Sequence, residues 1–439
     1  MTHSYIIRKT LEIKDKNVHL DKRIDEEKIN GSKHLIYYGK LTYTPSACEN
    51  CGVIHESSAD IVKNGTKEST IKLTQVNFKP VLLKLKKQRF YCKHCQSTFT
   101  AKSSLVNKNC YISNSIKHAI SLELAETQSM RLIAKHFNVS SHTVLKQLDT
   151  VGMNYQFNYH YLPEHLSIDE FKSVKNVSGA MSLLVIDAQS HEPIDIVENR
   201  QQHYLLNYFT RYSLESRRKV KTVTIDMYSP YFQVIKDSFP NAEIIIDRFH
   251  IVQLLNRALN QVRIQEMKKI RYLQPRDYGK LKKQWRLLLK NDWELNYRDY
   301  YTHRLYQGLI SEQIMVDYLL NLSKPLRKAY RIANELRYSL KNRQFKRFKE
   351  LLLHSKLETY PRKMRTALNS LTKYLDYIEN SFTYTLSNGP IEGMNNKIKL
   401  IKRSGYGYRN FKNLRNRVLI SFTLIKKSKK PKALYFKDS

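Results

Sequence analysis

Two Cys-x-x-Cys pairs constrain this chain more than any other feature. Cys48-Glu49-Asn50-Cys51 and Cys92-Lys93-His94-Cys95 are separated by 40 residues. Zinc takes four tetrahedral ligands, and thiolates at i and i+3 of a tight knuckle supply two each. Gly52 follows the first pair, where a knuckle turn often demands glycine, and Phe90, Tyr91 and Phe99 flank the second pair and can pack beneath the metal. The fifth cysteine, Cys110, makes the count odd, which argues against a disulfide framework. No thioredoxin-like βαβ pattern surrounds either pair, which disfavours a redox role. The pattern predicts a structural zinc site of Cys48, Cys51, Cys92 and Cys95 in a small β-rich module over 41–105. Short alternating runs such as Thr70-Ile71-Lys72-Leu73 supply its strands. His94 reads as a surface residue of the knuckle and Cys110 as a half-buried thiol.

A chain of 439 residues exceeds one typical core and implies two to four domains. Residues 1–40 are polar and weakly patterned, as in a loosely ordered lead-in. Residues 110–155 turn helical. Within them Met130 to Gln147 predicts two helices, with Leu132, Ile133 and Phe137 on one apolar face, a turn at Asn138, and Ser140 capping a second helix. Val144 and Leu145 then face inward, while Ser141, His142, Thr143 and Lys146 point outward from the early turns, where a recognition helix meets DNA.

The charge balance supports that partner. Seventy-six Lys and Arg against 39 Asp and Glu leave +37. An excess of this size repels itself unless a polyanion shares the surface, and nucleic acid is the usual one. No apolar run reaches the roughly 18 residues of a membrane span, and the start lacks a secretory apolar core. A cytoplasmic protein without a membrane partner is expected.

From about 166 the pattern changes. Leu183-Leu184-Val185-Ile186, Val223-Thr224-Ile225 and Ile244-Ile245-Ile246 are apolar runs of buried-strand type, each ending in an Asp. A helical stretch separates the first from the other two, as an α/β domain requires. Residues 160–255 form its first part. Residues 256–380 show helical patterns without strand-like runs, as in an all-helical insertion. The α/β material resumes over 381–425, and 426–439 is a basic tail.

Acids stand at informative positions. Asp169-Glu170 sits on a short strand, Asp226 and Asp247 end strands, and Glu392 lies in Asn388-Gly389-Pro390-Ile391-Glu392-Gly393. Pro390 suits a first helical turn capped by Asn388 or Gly389. Ile391, Met394, Ile398 and Ile401 form a buried stripe, and Glu392, Asn396, Lys399 and Arg403 an adjacent one. Between Gly393 and Lys437 there are 14 Lys or Arg and no acid, so Glu392 is isolated among cations that can receive phosphates. Carboxylates at strand ends plus one on a returning helix can converge on two hard cations about 4 Å apart, the arrangement used for phosphoryl transfer. Asp187 reads instead as a hairpin-turn residue.

Taken together, the cysteine knuckles, the paired helices, Ile168-Asp169-Glu170-Phe171, Thr224-Ile225-Asp226-Met227, Asp247-Arg248-Phe249-His250, and Ser387-Asn388-Gly389-Pro390-Ile391-Glu392-Gly393 through Lys402-Arg403-Ser404-Gly405-Tyr406-Gly407 resemble the bacterial insertion-sequence transposases of the L-three group. The resemblance covers about 45–425. It implies a multi-domain α+β chain: a zinc-binding β module, a DNA-binding helix-turn-helix and an RNase H-like catalytic core interrupted by the helical insertion. It implies a DDE triad of Asp169, Asp226 and Glu392 holding two Mg (or Mn) ions. It also implies strand cleavage and transfer at the element's terminal inverted repeats and target DNA, by a homo-oligomer on double-stranded DNA. Asp247 competes with Asp226 for the second position; Asp226 is favoured because it follows the earlier strand and opens a Tyr-Ser-Pro turn. Asp247 and His250 otherwise support the metal site, orient DNA or hold a strand to its helix. Glu170 is disfavoured, since neighbours on a strand face opposite ways.

Two other functions fit parts of the pattern. A zinc and helix-turn-helix regulator would bind DNA without metal-dependent cutting, and the acids argue against it. An RNase H-like nuclease would cut without joining. A structural nucleic-acid scaffold leaves the acids unexplained.

Overall fold

The computed structural model describes residues 3–428 except 58, 154, 156, 178, 355 and 387. Ser387 and the basic tail from 429 onward therefore lie outside the described residues. The chain divides into two compact units, residues 1–156 with 398–439, and residues 157–397.

The first unit begins with α1 (His3–Thr10), β1 (Val18–Ile29) and β2 (Ser32–Leu41), followed by β3 (Ile61–Val76), β4 (Lys79–Cys92) and β5 (Thr98–Thr100). The sheet order is β1-β2-β4-β3, with β5 on β4. Residues 1–40 are thus not a loose lead-in: β2 lies inside the sheet, parallel to β4 with Ile36 opposite Leu82. Ile36 and Leu41 are buried by that pairing, whereas β1 is an edge strand left mostly in solvent. An exposed edge carries no apolar period, and β2 also pairs with a strand some 45 residues downstream; the local mark is the Asn30-Gly31 turn, at φ +48° and +83°, that closes the β1–β2 hairpin and that the lead-in reading passed over. β3 and β4 form a long hairpin closed by Asn77 and Phe78 at φ +49° and +61°, a two-residue turn of the primed type that twisted strands prefer.

Three helices follow: α2 (Asn114–Glu123), α3 (Met130–His136) and α4 (Ser141–Met153). Ser113 and Ser129 cap the first two, and the Ser140 hydroxyl accepts from Thr143 N. Asn138, at φ +49°, turns the chain between α3 and α4. Ile116, Ile120, Ile133, Val144 and Leu148 form their core. Leu132, expected on the apolar face, is 41% exposed; the inward positions are Ile133 and Ala134, one step along the helix.

The second unit contains β6 (His165–Lys172), β7 (Met181–Asp187), β8 (Pro193–Val197), α5 (Gln202–Phe209), α6 (Leu214–Lys219), β9 (Thr222–Ile225), α7 (Ser229–Ser238) and β10 (Glu243–Ile246). The sheet order is β10-β9-β6-β7-β8. β6, β7 and β8 run antiparallel in sequence, while β9 is parallel to β6 and β10 parallel to β9. β9 is buried throughout and β10 over Ile244–Ile246, which accounts for their unbroken apolar runs. The Asp187 carboxylate accepts from Gln189 N and Ser190 Oγ in the β7–β8 turn.

A helical stretch follows: α8 (Arg248–Lys269), α9 (Pro275–Lys283), α10 (Trp285–Leu289), the two-residue strands β11 (Tyr301–Thr302) and β12 (Leu309–Ile310), then α11 (Glu312–Asn321), α12 (Lys324–Lys341), α13 (Phe345–Leu353), α14 (Arg362–Lys373) and α15 (Leu375–Thr383). Two expectations are corrected here. A minimal strand pair does interrupt the helices; two residues per strand are too few to leave a period. The expected boundary at 255/256 also falls inside α8, whose Ile251, Leu255, Leu259 and Val262 share one buried stripe and one continuous core with the sheet. α15 closes back on β10, where Asn380 Nδ2 donates to Ile244 O (2.8 Å) and Ser381 Oγ to Ile246 O.

The chain ends in α16 (Gly389–Ser404), within which the two units divide, and α17 (Phe411–Ser428). α17, expected to close the α/β core, packs on α4 in the first unit instead. There Ile420 joins the helical core, and the fully buried Arg417 donates to the carbonyls of Glu126 and Gln128. Among the described residues no helix is long and apolar enough to cross a membrane.

Candidate active site and zinc centre

The zinc ligands come from two knuckles that the sheet brings face to face. Cys92 ends β4, and Cys48 lies in the loop before β3. Cys48 Sγ is 3.6 Å from Cys95 Sγ, and Cys51 Sγ 3.8 Å from Cys92 Sγ; all four sulfurs lie within 4.8 Å of one another. Zinc–sulfur bonds of about 2.3 Å place tetrahedral sulfurs about 3.8 Å apart, so the set fits zinc. The residue after each knuckle is left-handed, Gly52 at φ +76° and Gln96 at +51°. Asn50 N points at Cys48 Sγ (3.4 Å), and Ser97 Oγ lies 2.9 Å from Cys95 Sγ, holding that thiol down to about 6. His94 is outside the set and pairs with Asp60 (3.0 Å). Cys110 is half-buried against the sheet core.

The acids of the second unit gather at the carboxyl ends of its parallel strands, where open α/β sheets leave room for ligands. Asp226 follows β9 directly, Asp247 follows β10, and Asp169 lies late in β6. Ligand atoms of Asp169, Asp226 and His250 lie within 4.8 Å of one another. His250, in the first turn of α8, sets Nε2 2.7 Å from Asp226 Oδ1. That oxygen is buried, with His250 as the partner described for it. Burial, then repulsion from Asp226, pushes the Asp169 carboxyl up to about 6. Burial works against charge on His250, but Asp226 outweighs it and holds the imidazole above its usual range. Two carboxylates and an imidazole with ligand atoms this close, and an acid resisting ionisation that a cation would relieve, fit a divalent metal.

Glu170 takes the other side of β6. It accepts from Arg200 Nη1 (2.8 and 3.0 Å) and from the Tyr231 hydroxyl. Asp247 is buried, its carboxyl pushed up by burial, and Asn388 N approaches Oδ1 at 3.5 Å. It stands outside the three-residue group.

α16 is tied to this site by two asparagines. Asn388 accepts from Ser167 Oγ on β6, and Asn395 Nδ2 donates to Asp169 Oδ2 (2.6 Å). Asn395, which touches Asp169, is a residue that sequence reasoning missed, having placed Asn396 on the polar stripe. The signal was available: Asn395 stands four residues after Ile391 and three before Ile398, inside the buried stripe, where an amide must find a partner. Glu392 lies one turn before Asn395, exposed, and outside the group of ligand atoms within 4.8 Å.

Elsewhere, Ser141, His142 and Lys146 are exposed on α4, while Thr143 is half-buried with its hydroxyl 3.0 Å from Ser140 Oγ. Lys399 and Arg403 are exposed on α16.

Comparison with known proteins covers both regions. Residues 166–418 match a family model described as transposase, of the ISL3 insertion-sequence group, and residues 44–95 match the zinc-finger of transposase IS204/IS1001/IS1096/IS1165. The transposase for insertion sequence element IS1001 of Bordetella parapertussis is 25% identical over 390 residues, 86% of this chain and 88% of that protein. An ATP-dependent protease of Lactococcus lactis subsp. lactis is 37% identical over 111 residues, 25% of this chain and 35% of that protein, a share too small to bear on the whole.

Proposed function

Because this chain belongs to the DDE transposases of the ISL3 (L-three) insertion-sequence group and is a DNA transposase with a zinc-ribbon cysteine cluster, we propose that Asp169, Asp226 and Glu392 are its catalytic triad. In this reading they hold two Mg (or Mn) ions. The observation that carries it is the convergence of Asp169 and Asp226 at adjacent strand ends, with α16 clamped to Asp169 through Asn395. The sheet order, three antiparallel strands followed by two parallel ones, supports an RNase H-like core.

The bound ions would activate the attacking oxygen and stabilise the leaving one. The chain's own residues position them. Asn395 fixes the Asp169 carboxylate, and His250 sets an imidazole against Asp226. Glu392, one turn from Asn395, would supply the third carboxylate from α16. In cleavage, a water oxygen bonds to the scissile phosphorus as the 3′-oxygen leaves with a proton. In joining, that 3′-hydroxyl attacks a target phosphorus and displaces the target's own 3′-oxygen, so no co-reactant is consumed.

The zinc ribbon and the α3–α4 pair read the terminal inverted repeats, with Ser141, His142, Thr143 and Lys146 at the base edges and Lys399 and Arg403 on phosphates. Asp247 and His250 support the metal site. The protein works as a homo-oligomer that pairs two element ends, in the bacterial cytoplasm on the nucleoid. Asp226→Asn and Glu392→Gln should leave end binding within about two-fold (about 0.4 kcal/mol) while abolishing Mg²⁺-dependent cleavage. Wild-type cutting by either variant on labelled element-end DNA would refute the triad.

A further inference from the structure

On one face of the β3–β4 hairpin, lysines follow the last buried apolar residues. Side chains alternate along a strand, so one face of β3 carries Leu73, Ile71, Ser69 and Lys67, and the same face of β4 carries Val81, Leu83, Leu85 and Lys87. The apolar members of this stripe, Leu73, Ile71, Val81, Leu83 and Leu85, are buried. Lys67 and Lys87 come next on that face and stand directly opposite one another. Like charges in direct cross-strand register destabilise a pair; Lys67 is exposed and Lys87 half-buried. Burial, then the Lys67 ammonium, holds Lys87 below the usual lysine range. Among the described residues neither lysine has an ion-pair partner.

Both lysines line a cavity of about 410 Å³ between the hairpin and residues 98–111, shared with Lys102 and Lys108. The one acid of its lining, Glu49, is already engaged by Lys102 at 2.8 Å. Four ammonium groups therefore face one satisfied carboxylate, with the hydroxyls of Ser69 and Thr100 as further donors. Two opposed cations beside open space make a setting that an anion relieves.

We propose that this cavity is a phosphate pocket that takes the sugar–phosphate backbone of DNA, with Lys67 and Lys87 as its central ligands. It deepens, and rests on, the reading of the zinc unit as DNA-binding. A backbone contact orients the protein without reading sequence, which suits a site next to the zinc knuckles rather than on α4.

The test uses the full chain and the variants Lys67→Met, Lys87→Met and both together; methionine keeps an unbranched stem without the charge. DNA affinity is followed against salt by fluorescence anisotropy with a duplex. The slope of log K against log salt should become shallower by about 0.9 for each DNA phosphate that the variant no longer neutralises. Melting is followed in parallel. Without anions the double variant should melt above wild type, since the repulsion is gone; inorganic phosphate should raise the wild-type midpoint and leave the double variant unmoved. Lys86→Met, on the opposite face, should keep the phosphate response. A full slope and full phosphate protection in the double variant would overturn the pocket while leaving the DNA-binding reading intact. Abolished phosphate protection with an unchanged slope would overturn the backbone assignment in favour of a free anion. A wild-type chain without salt-dependent DNA affinity would refute both readings.

Discussion

Replacing Asp169 by Asn should make this protein more stable and catalytically dead, with a gain that depends on pH. The Asp169 carboxyl is raised from 3.8 to about 6, by burial first and Asp226 second. A raised carboxyl value means that the folded chain holds the proton more tightly than the unfolded one. Stability is then undiminished below the unfolded value and falls as pH rises through the folded value. The loss is about 3 kcal/mol at pH 8, about half that at pH 5, and well under 1 kcal/mol at pH 4. Asparagine carries no charge and escapes it. Part of the gain is offset, because Asp169 accepts from Glu170 N and Asn395 Nδ2. An asparagine keeps the first bond, and its own amide meets Asn395. Asn395 can answer by turning, since its Oδ1 is buried without a partner; the exchange of a charge-assisted bond for a neutral one costs about 1 kcal/mol. Asp169→Asn should therefore be about 2 kcal/mol more stable than wild type at pH 8 and indistinguishable at pH 4. Urea unfolding in Mg²⁺-free buffer, with zinc retained, measures the difference. Mg²⁺ should stabilise wild type by mass action and not the variant. A variant no more stable than wild type at pH 8, or a difference that ignores pH, would refute the reasoning.

Three further outcomes are expected. Removing zinc should loosen the knuckles around 46–55 and 92–99 and spare β1 to β4, whose core of Ile71, Leu83 and Leu85 needs no metal; hydrogen exchange by mass spectrometry reads this, and unchanged knuckle protection after confirmed zinc loss would contradict it. Gly152→Ala should cost about 1–2 kcal/mol despite a helix gain of about 1 kcal/mol, because a Cβ there comes within 2.2 Å of Asn416 Nδ2. Asn416→Ala in the same chain should restore stability, measured as a double-mutant cycle. Phe78→Gly should stabilise the β3–β4 hairpin by about 1 kcal/mol, since Phe78 sits at φ +61° while 96% exposed and gives up no packing; an unchanged or lower urea midpoint would count against it.

Much of the site was legible in local spacing. Two Cys-x-x-Cys knuckles are complete chemical statements within four residues each. The stripe Ile391, Met394, Ile398, Ile401 is buried along α16, because helical period depends only on neighbours. Alternation on β6 likewise separates Asp169 from Glu170, which pairs with Arg200. What escaped was mostly long-range. β1 and β2 read as unstructured because the edge strand lacks an apolar period, although Asn30-Gly31 marks their turn. α17 joined the wrong unit because its amphipathic face does not say which surface it meets.

The sequence alone determined what each segment can do: hold zinc, form helices, end a buried strand in an acid, and carry a net charge of +37 that calls for a polyanion. These follow from periods and spacings of a few residues, governed by bonds within one turn or one strand. Tertiary structure alone decided which groups meet. It set Asp226 and His250 beside Asp169, aimed Asn395 rather than Asn396 at that carboxylate, and placed Lys67 opposite Lys87. Those meetings depend on strand register and helix docking, which many weak contacts across the whole unit settle together, and no short stretch of sequence contains their sum.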